Sequence, residues 1–163
     1  MSQAESFLAR VKDKSTQIVV IGAGYVGLPF AVEAAEAGFD TIAYDVSQEK
    51  ADLINEGTSY IGDIPSARLA KLVEGGKLRG TTESIIMRNA DAIVVCVPTP
   101  LNKTKDPDVS MITDAMDTLL AHLRRGQLVV LESTVYPGFT REALREQLER
   151  TGLKVGRDIF LAF

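Results

Sequence analysis

Three glycines and one acid carry the most specific chemistry in this chain. Gly22, Gly24 and Gly27 spell G-x-G-x-x-G, and Asp45 stands 18 residues after the third glycine. In a dinucleotide-binding turn each has its own task. Gly22 permits a tight turn off a strand, Gly24 lets the backbone approach a pyrophosphate, and Gly27 allows a helix to pack closely on a sheet. The N–H groups of Tyr25 and Val26, near a helix start, face an anion with the helix dipole behind them. Asp45 is placed to accept hydrogen bonds from ribose hydroxyls, and its charge repels a 2′-phosphate. No arginine follows it: the next residues are Val46, Ser47, Gln48 and Glu49, with Lys50 the nearest cation. NAD, rather than NADP, is the expected cofactor.

A glycine turn carries this meaning only between a strand and a helix. The apolar run 17–22 supplies the strand and residues 25–37 the helix, with Pro29 in its first turn and Gly38 as its stop. A second strand, 41–45, ends on the acid. Residues 3–13 read as an amphipathic helix, with Phe7, Leu8 and Val11 on one side. A helix over 48–55 is followed by another that Pro65 opens, and Gly75-Gly76-Lys77 ends it as a turn. That triplet is no phosphate loop, because Leu78 stands where Ser or Thr is required. A brief strand at 79–82 precedes a short helical piece. Ala92 to Val97 is continuously apolar, as suits a central parallel strand buried on both faces.

Ile112, Ala115, Met116, Leu119, Leu120 and Leu123 keep helical spacing, with Arg124 and Arg125 expected at that helix's C-terminal end. A strand at 128–132, a helix at 140–150 and a final strand over 159–163 complete the alternation. Such alternation makes an α/β, Rossmann-type doubly wound parallel sheet of six strands in a single domain. Ligands in such sheets lie beyond the carboxyl ends of the strands. That puts two further loops at the crevice, Pro98-Thr99-Pro100-Leu101 and Glu132-Ser133-Thr134-Val135-Tyr136-Pro137-Gly138. The two prolines stiffen the first and hold the Thr99 hydroxyl over the ligand.

Composition narrows the alternatives. A net charge of −4 gives no electrostatic case for nucleic acid or an anionic membrane. No apolar run approaches the ~18 residues of a membrane span, and the first residues lack the pattern of a signal peptide. One cysteine forms no internal disulfide and suits a cytoplasmic location. Cys96 lies in an apolar strand, where cysteine is an inert small hydrophobe. His122, the single histidine, has no neighbouring ligand cluster, so no metal site is expected.

The ordered set Gly22 to Leu28 with Asp45, then Val97-Pro98-Thr99-Pro100, then Glu132 to Gly138, resembles the nucleotide-sugar 6-dehydrogenases, the UDP-glucose/GDP-mannose dehydrogenase family. The resemblance runs from Gln17 to Phe163 and matches that family's N-terminal NAD-binding domain. Ser59-Tyr60-Ile61 with Ile64-Pro65, Asp106-Pro107-Asp108 and Tyr136-Pro137-Gly138 are most similar to the UDP-N-acetylglucosamine 6-dehydrogenase branch.

The resemblance implies oxidation of a sugar-nucleotide C6 alcohol to a carboxylate with two NAD. It implies that Gly22, Gly24, Tyr25, Val26 and Gly27 hold the pyrophosphate, that Asp45 meets the adenine ribose and that Lys50 also touches the cofactor. Val97, Pro98 and Thr99 would lie along the nicotinamide half. Ser133 would support the cofactor, and Thr134 would reach the catalytic centre and help hold water. Glu132 stands nearby, at a position that varies in the family.

The family's nucleophilic cysteine, its lysine and asparagine, its Ser-Pro-Glu segment, its central helix and its substrate domain would all follow Phe163. Residues 1–163 are therefore expected to be one domain of a larger, homo-oligomeric enzyme and to be inactive alone. Apolar surface around Phe160 and Phe163 is expected to be uncovered. An NAD-sensing module and the cofactor domain of a β-hydroxyacid-type dehydrogenase share the opening fingerprint but not the two later loops.

Overall fold

The computed structural model describes residues 2–100 and 108–163. Leu101 of the first crevice loop, and Asp106 and Pro107 among the branch marks, lie outside these described residues. Six parallel strands form one sheet: β1 (Gln17–Ile21), β2 (Asp40–Tyr44), β3 (Leu78–Thr81), β4 (Ala92–Val95), β5 (Leu128–Leu131) and β6 (Phe160–Ala162). Their spatial order is β3-β2-β1-β4-β5-β6, so the chain reverses direction across the sheet between β1 and β4. That reversal opens a crevice at the carboxyl ends of β1 and β4.

Alternate residues of each strand feed two separate cores. Val19 and Ile21 of β1, with Ile93 and Val95 of β4, pack on one face against Ile112, Met116 and Leu119 of α5 (Ser110–Leu120). Leu144 and Leu148 join them from a π-helical turn (Thr140–Leu144) and α6 (Arg145–Glu149). Val20, Val94 and Cys96 point to the other face. They meet Leu28, Ala31 and Val32 of α2 (Gly27–Glu36), Ile54 of α3 (Gln48–Asn55) and Leu69 of α4 (Ser66–Glu74). Burial on both sides is why β1 and β4 read as unbroken apolar runs rather than alternating ones.

The strands stop one or two residues earlier than the apolar runs suggest. Cys96 N–H still donates to the Ile21 carbonyl at 2.8 Å, but Pro98 has no N–H to continue the ladder. The end residues Tyr44, Ile21, Val95 and Leu131 lie in register across the sheet. The loops that follow them therefore leave from one level.

Three local differences have physical reasons. Helix α2 begins at Gly27, because Gly24 to Val26 form the turn itself. The helix over 140–150 opens as a π-turn before becoming α. Helix α5 ends at Leu120, so Arg124 does not cap it. Its guanidinium instead donates to the carbonyls of Arg88, Asn89 and Ala90, closing the short 3₁₀ turn Ser84–Arg88, and it pairs with Asp91.

Helix α1 (Gln3–Lys12) lies at the opposite pole, against the starts of β4 to β6. Ser2 and Glu5 form a capping box. Arg10 pairs with Asp91 at 3.3 Å, and Phe7 packs on Phe160 with ring centroids 6.5 Å apart. Phe160 is thus half covered, contrary to the expectation of bare surface there, whereas Phe163 is exposed. Phe7→Ala is expected to lower stability by about 1 kcal/mol, the value for a half-buried ring. NAD affinity should be unchanged, since α1 is remote from the crevice. Thermal melts with and without NAD check both statements.

Candidate functional site

The turn after β1 is held by constraints that only glycine meets. Gly22 has φ +94°, and a Cβ there would sit 2.7 Å from the Cys96 carbonyl oxygen. A Cβ on Gly27 would overlap the Gly22 carbonyl oxygen and press on the Cys96 side chain. Gly24 differs: nothing lies within 4 Å of where its Cβ would be. The protein itself makes no use of that space, which opens into the crevice. Among the described residues, the amides of Tyr25 and Val26 have no backbone or side-chain acceptor. Room beside Gly24 and free donors after it fit a pyrophosphate.

Asp45 is buried and works inward as well as outward. Its Oδ2 accepts from Ala23 N–H at 2.8 Å and pairs with Lys50 Nζ at 3.0 Å, while Oδ1 accepts from Ser47 N–H at 3.0 Å. The acid that would read the ribose therefore also anchors the glycine turn. Ser47 in turn caps α3 by accepting from Lys50 N–H, which sets the Lys50 side chain beside the carboxylate.

Two cavities meet at Lys50, Val97 and Pro98. The first, of about 580 Å³, is bounded by Gly24, Tyr25 and Val26 on one side and by Thr99, Glu132, Ser133 and Thr134 on the other. The second, of about 420 Å³, lies between Gly22, Asp45 and Val46 and the face of α5 carrying Met111, Ala115 and Thr118. Together they form a groove crossing the sheet at its switch point. The phosphate-turn residues Gly24, Tyr25 and Val26 line the first cavity and Asp45 lines the second, with Lys50 at their junction.

The groove gathers every site residue expected from the sequence except one. Gly27 lines neither cavity; it is buried beneath the turn, where its lack of a side chain lets α2 pack on the turn. Ser133 is also an indirect member. Its hydroxyl donates to the Val97 carbonyl at 2.7 Å, tying the end of β5 to the Val97-Pro98-Thr99 loop. Thr134 is exposed in the first cavity. Asp108 accepts from Ser110 N–H at 2.9 Å, a local bond at the start of α5.

Cys96 lies on the cavity floor with its thiol pushed up to about 12, first by burial and then by the negative charge of Glu132. His122 pairs with the Ser84 hydroxyl at 3.1 Å. Among the described residues no group of three His, Cys, Asp or Glu could hold a metal. Among the described residues no helix is long and apolar enough to cross a membrane.

Sequence reasoning gave no role to Tyr60 and did not single out Val46 or the α5 face. Val46 and Met111 are exposed apolar residues, and their places follow once α5 is known to leave from β4 at the switch point.

Residues 16–162 match the family model described as the UDP-glucose/GDP-mannose dehydrogenase family, NAD binding domain. The chain belongs to this family. NAD is its cofactor. The chain is 36% identical over 147 residues to UDP-N-acetyl-D-mannosamine dehydrogenase of Pyrococcus horikoshii, covering 90% of this chain and 35% of that protein. It is 31% identical over 151 residues to UDP-N-acetyl-D-glucosamine 6-dehydrogenase of Pseudomonas aeruginosa, covering 92% of this chain and 35% of that one. The crystal structure of NDP-N-acetyl-D-galactosaminuronic acid dehydrogenase from Methanosarcina mazei superposes with a TM-score of 0.85 at 34% identity, covering 99% of this chain and 36% of that one. The chain thus spans about a third of the length of these family members.

Proposed function

We propose that this chain is the N-terminal NAD-binding domain of an enzyme that oxidises the C6 alcohol of a UDP-N-acetylhexosamine, UDP-N-acetylglucosamine in the first instance, to the uronic acid. The observation that carries the reading is the continuous groove. It joins a phosphate turn and a ribose-reading acid to the hydroxyls of Thr99 and Thr134 at its far end. The roles then divide among the residues of the groove. The free amides of Tyr25 and Val26 hold the pyrophosphate, and Asp45 accepts from the adenine ribose while Lys50 tempers its charge. Val97 and Pro98 form the wall at the junction, in a loop that Ser133 fixes. NAD held by these residues would supply the acceptor for the hydride that leaves C6. The Thr134 hydroxyl reaches toward that carbon and hydrogen-bonds a water. The second domain that would hold the sugar, the cytoplasmic setting and a homo-oligomeric assembly belong to the same proposal.

A second substrate has an observation in its favour. Identity over this domain is higher to the mannosamine enzyme than to the glucosamine enzyme, at 36% against 31%. The sugar nevertheless sits largely outside this domain, so identity here weighs little on it. A stand-alone sensor and a β-hydroxyacid-type dehydrogenase are both disfavoured by the family match.

Calorimetric titration of this chain is expected to show NAD binding about tenfold tighter than NADP, a difference of ~1.4 kcal/mol. Equal or tighter NADP binding would overturn the role given to Asp45. With the full-length enzyme, NADH absorbance across UDP-N-acetylglucosamine, UDP-N-acetylmannosamine and UDP-glucose identifies the sugar. A preference for UDP-glucose would remove the N-acetylhexosamine assignment and leave the family intact.

A further inference from the structure

The segment between α3 and α4 reaches back to the glycine turn through a single phenol. Tyr60 Oη donates to the Ala23 carbonyl at 2.7 Å, across 37 residues of sequence. The segment that presents Tyr60 is itself fastened. Ile61 and Ile64 are buried in the core beneath α2, the Ser59 hydroxyl closes a turn on Ile61, and Ser59 N–H donates to the Ser66 hydroxyl. Tyr60 is therefore delivered to the turn by a rigid support.

Ala23 is fully buried and is gripped on both sides. Its N–H donates to Asp45 from one direction, and its carbonyl accepts from Tyr60 from the other. The second bond fixes the peptide plane that runs into Gly24. The orientation of that plane sets where the free amides of Tyr25 and Val26 point. A buried carbonyl deprived of its donor has every reason to rotate toward another one.

We infer that Tyr60 is a positioning residue for cofactor binding, one that preorganises the phosphate turn by holding the Ala23 carbonyl. The inference rests on the NAD-site reading and adds a residue to it. Burial, and the nearby charge of Asp45, raise the phenol's pKa, so the hydroxyl stays protonated and remains a donor throughout the working pH range. Asp45 acts on the same residue, but it also reads the ribose. Tyr60 can be tested without disturbing that contact.

The test is Tyr60→Phe, which keeps the ring and removes only the donor. NAD and ADP-ribose should each bind about five- to tenfold more weakly, the cost of one lost hydrogen bond in preorganisation. Adenosine, which lacks the pyrophosphate, should stay within about twofold. Equal losses for all three ligands, or no loss for any, overturns the inference.

A readout in the ligand-free chain separates this from failure of the site reading. The ¹H–¹⁵N heteronuclear NOE of Gly24, Tyr25 and Val26 should fall in the variant while that of β1 and β4 is preserved. An unchanged NOE at the turn overturns the positioning role whatever the affinities do. A change in NOE without any NAD affinity in the wild-type chain keeps the tether and counts against the site.

Discussion

Gly24→Ala is expected to abolish measurable NAD binding, by about a hundredfold or more, while leaving the fold intact. A methyl at Gly24 meets no protein atom within 4 Å, and Gly24 is not among the residues with positive φ. The substitution therefore carries no strain, and the smaller entropy of the unfolded chain even favours it by a few tenths of a kcal/mol. The space it fills is the approach to the phosphate turn, where a pyrophosphate must come within hydrogen-bonding distance of backbone N–H groups.

Gly27→Ala should behave in the opposite way. Its methyl would land on the Gly22 carbonyl oxygen and against Cys96, neither of which can move without disturbing α2 or β4. A loss of about 3 kcal/mol or more is expected from such overpacking. Thermal melts and NAD titrations of the two variants should therefore separate cleanly, one folded and blind to NAD, the other unstable. A Gly24→Ala protein that still binds NAD at wild-type strength would place the pyrophosphate elsewhere.

The two glycines also show how far sequence reading carries. The pattern G-x-G-x-x-G with Asp45 identified the turn, its flanking strand and helix, and the cofactor class, because each depends on neighbours within a few dozen residues. The alternation of apolar runs and helical stripes was enough for the sheet, since β1 and β4 are buried on both faces and carry no competing period. Side-chain reach across the fold leaves no such trace. Arg124 follows a helical stripe and so suggests a cap for its own helix, yet its partners are the carbonyls of a turn 34 to 36 residues earlier. Tyr60 sits in a loop without periodicity, and only the folded chain shows that its hydroxyl meets Ala23. The place of Asp45 at the end of an apolar run points to a ligand role; its second task, anchoring the turn, follows from the register that sets β2 beside β1.

No NADH should form when this chain is mixed with NAD and any UDP-sugar. Hydride transfer needs the sugar held in line with the nicotinamide, the task proposed for a second domain. The proposed oxidation on to the acid needs a thiol that attacks as the thiolate. The chain has one cysteine, and Cys96 is poorly suited to the task. It is packed against α2 in the core, and burial together with Glu132 lifts its pKa to about 12. At pH 8 that leaves a thiolate fraction on the order of one in ten thousand. Alkylation by iodoacetamide should accordingly be slow up to about pH 9, where ordinary thiols are already largely ionised. Cys96→Ser should leave NAD affinity within about twofold. It should lower stability by about 1–3 kcal/mol, since the new hydroxyl is buried in an apolar face. Steady NADH production that disappears in Cys96→Ser would make this buried thiol the nucleophile, and the cavity floor beneath the phosphate turn would then be the reaction centre.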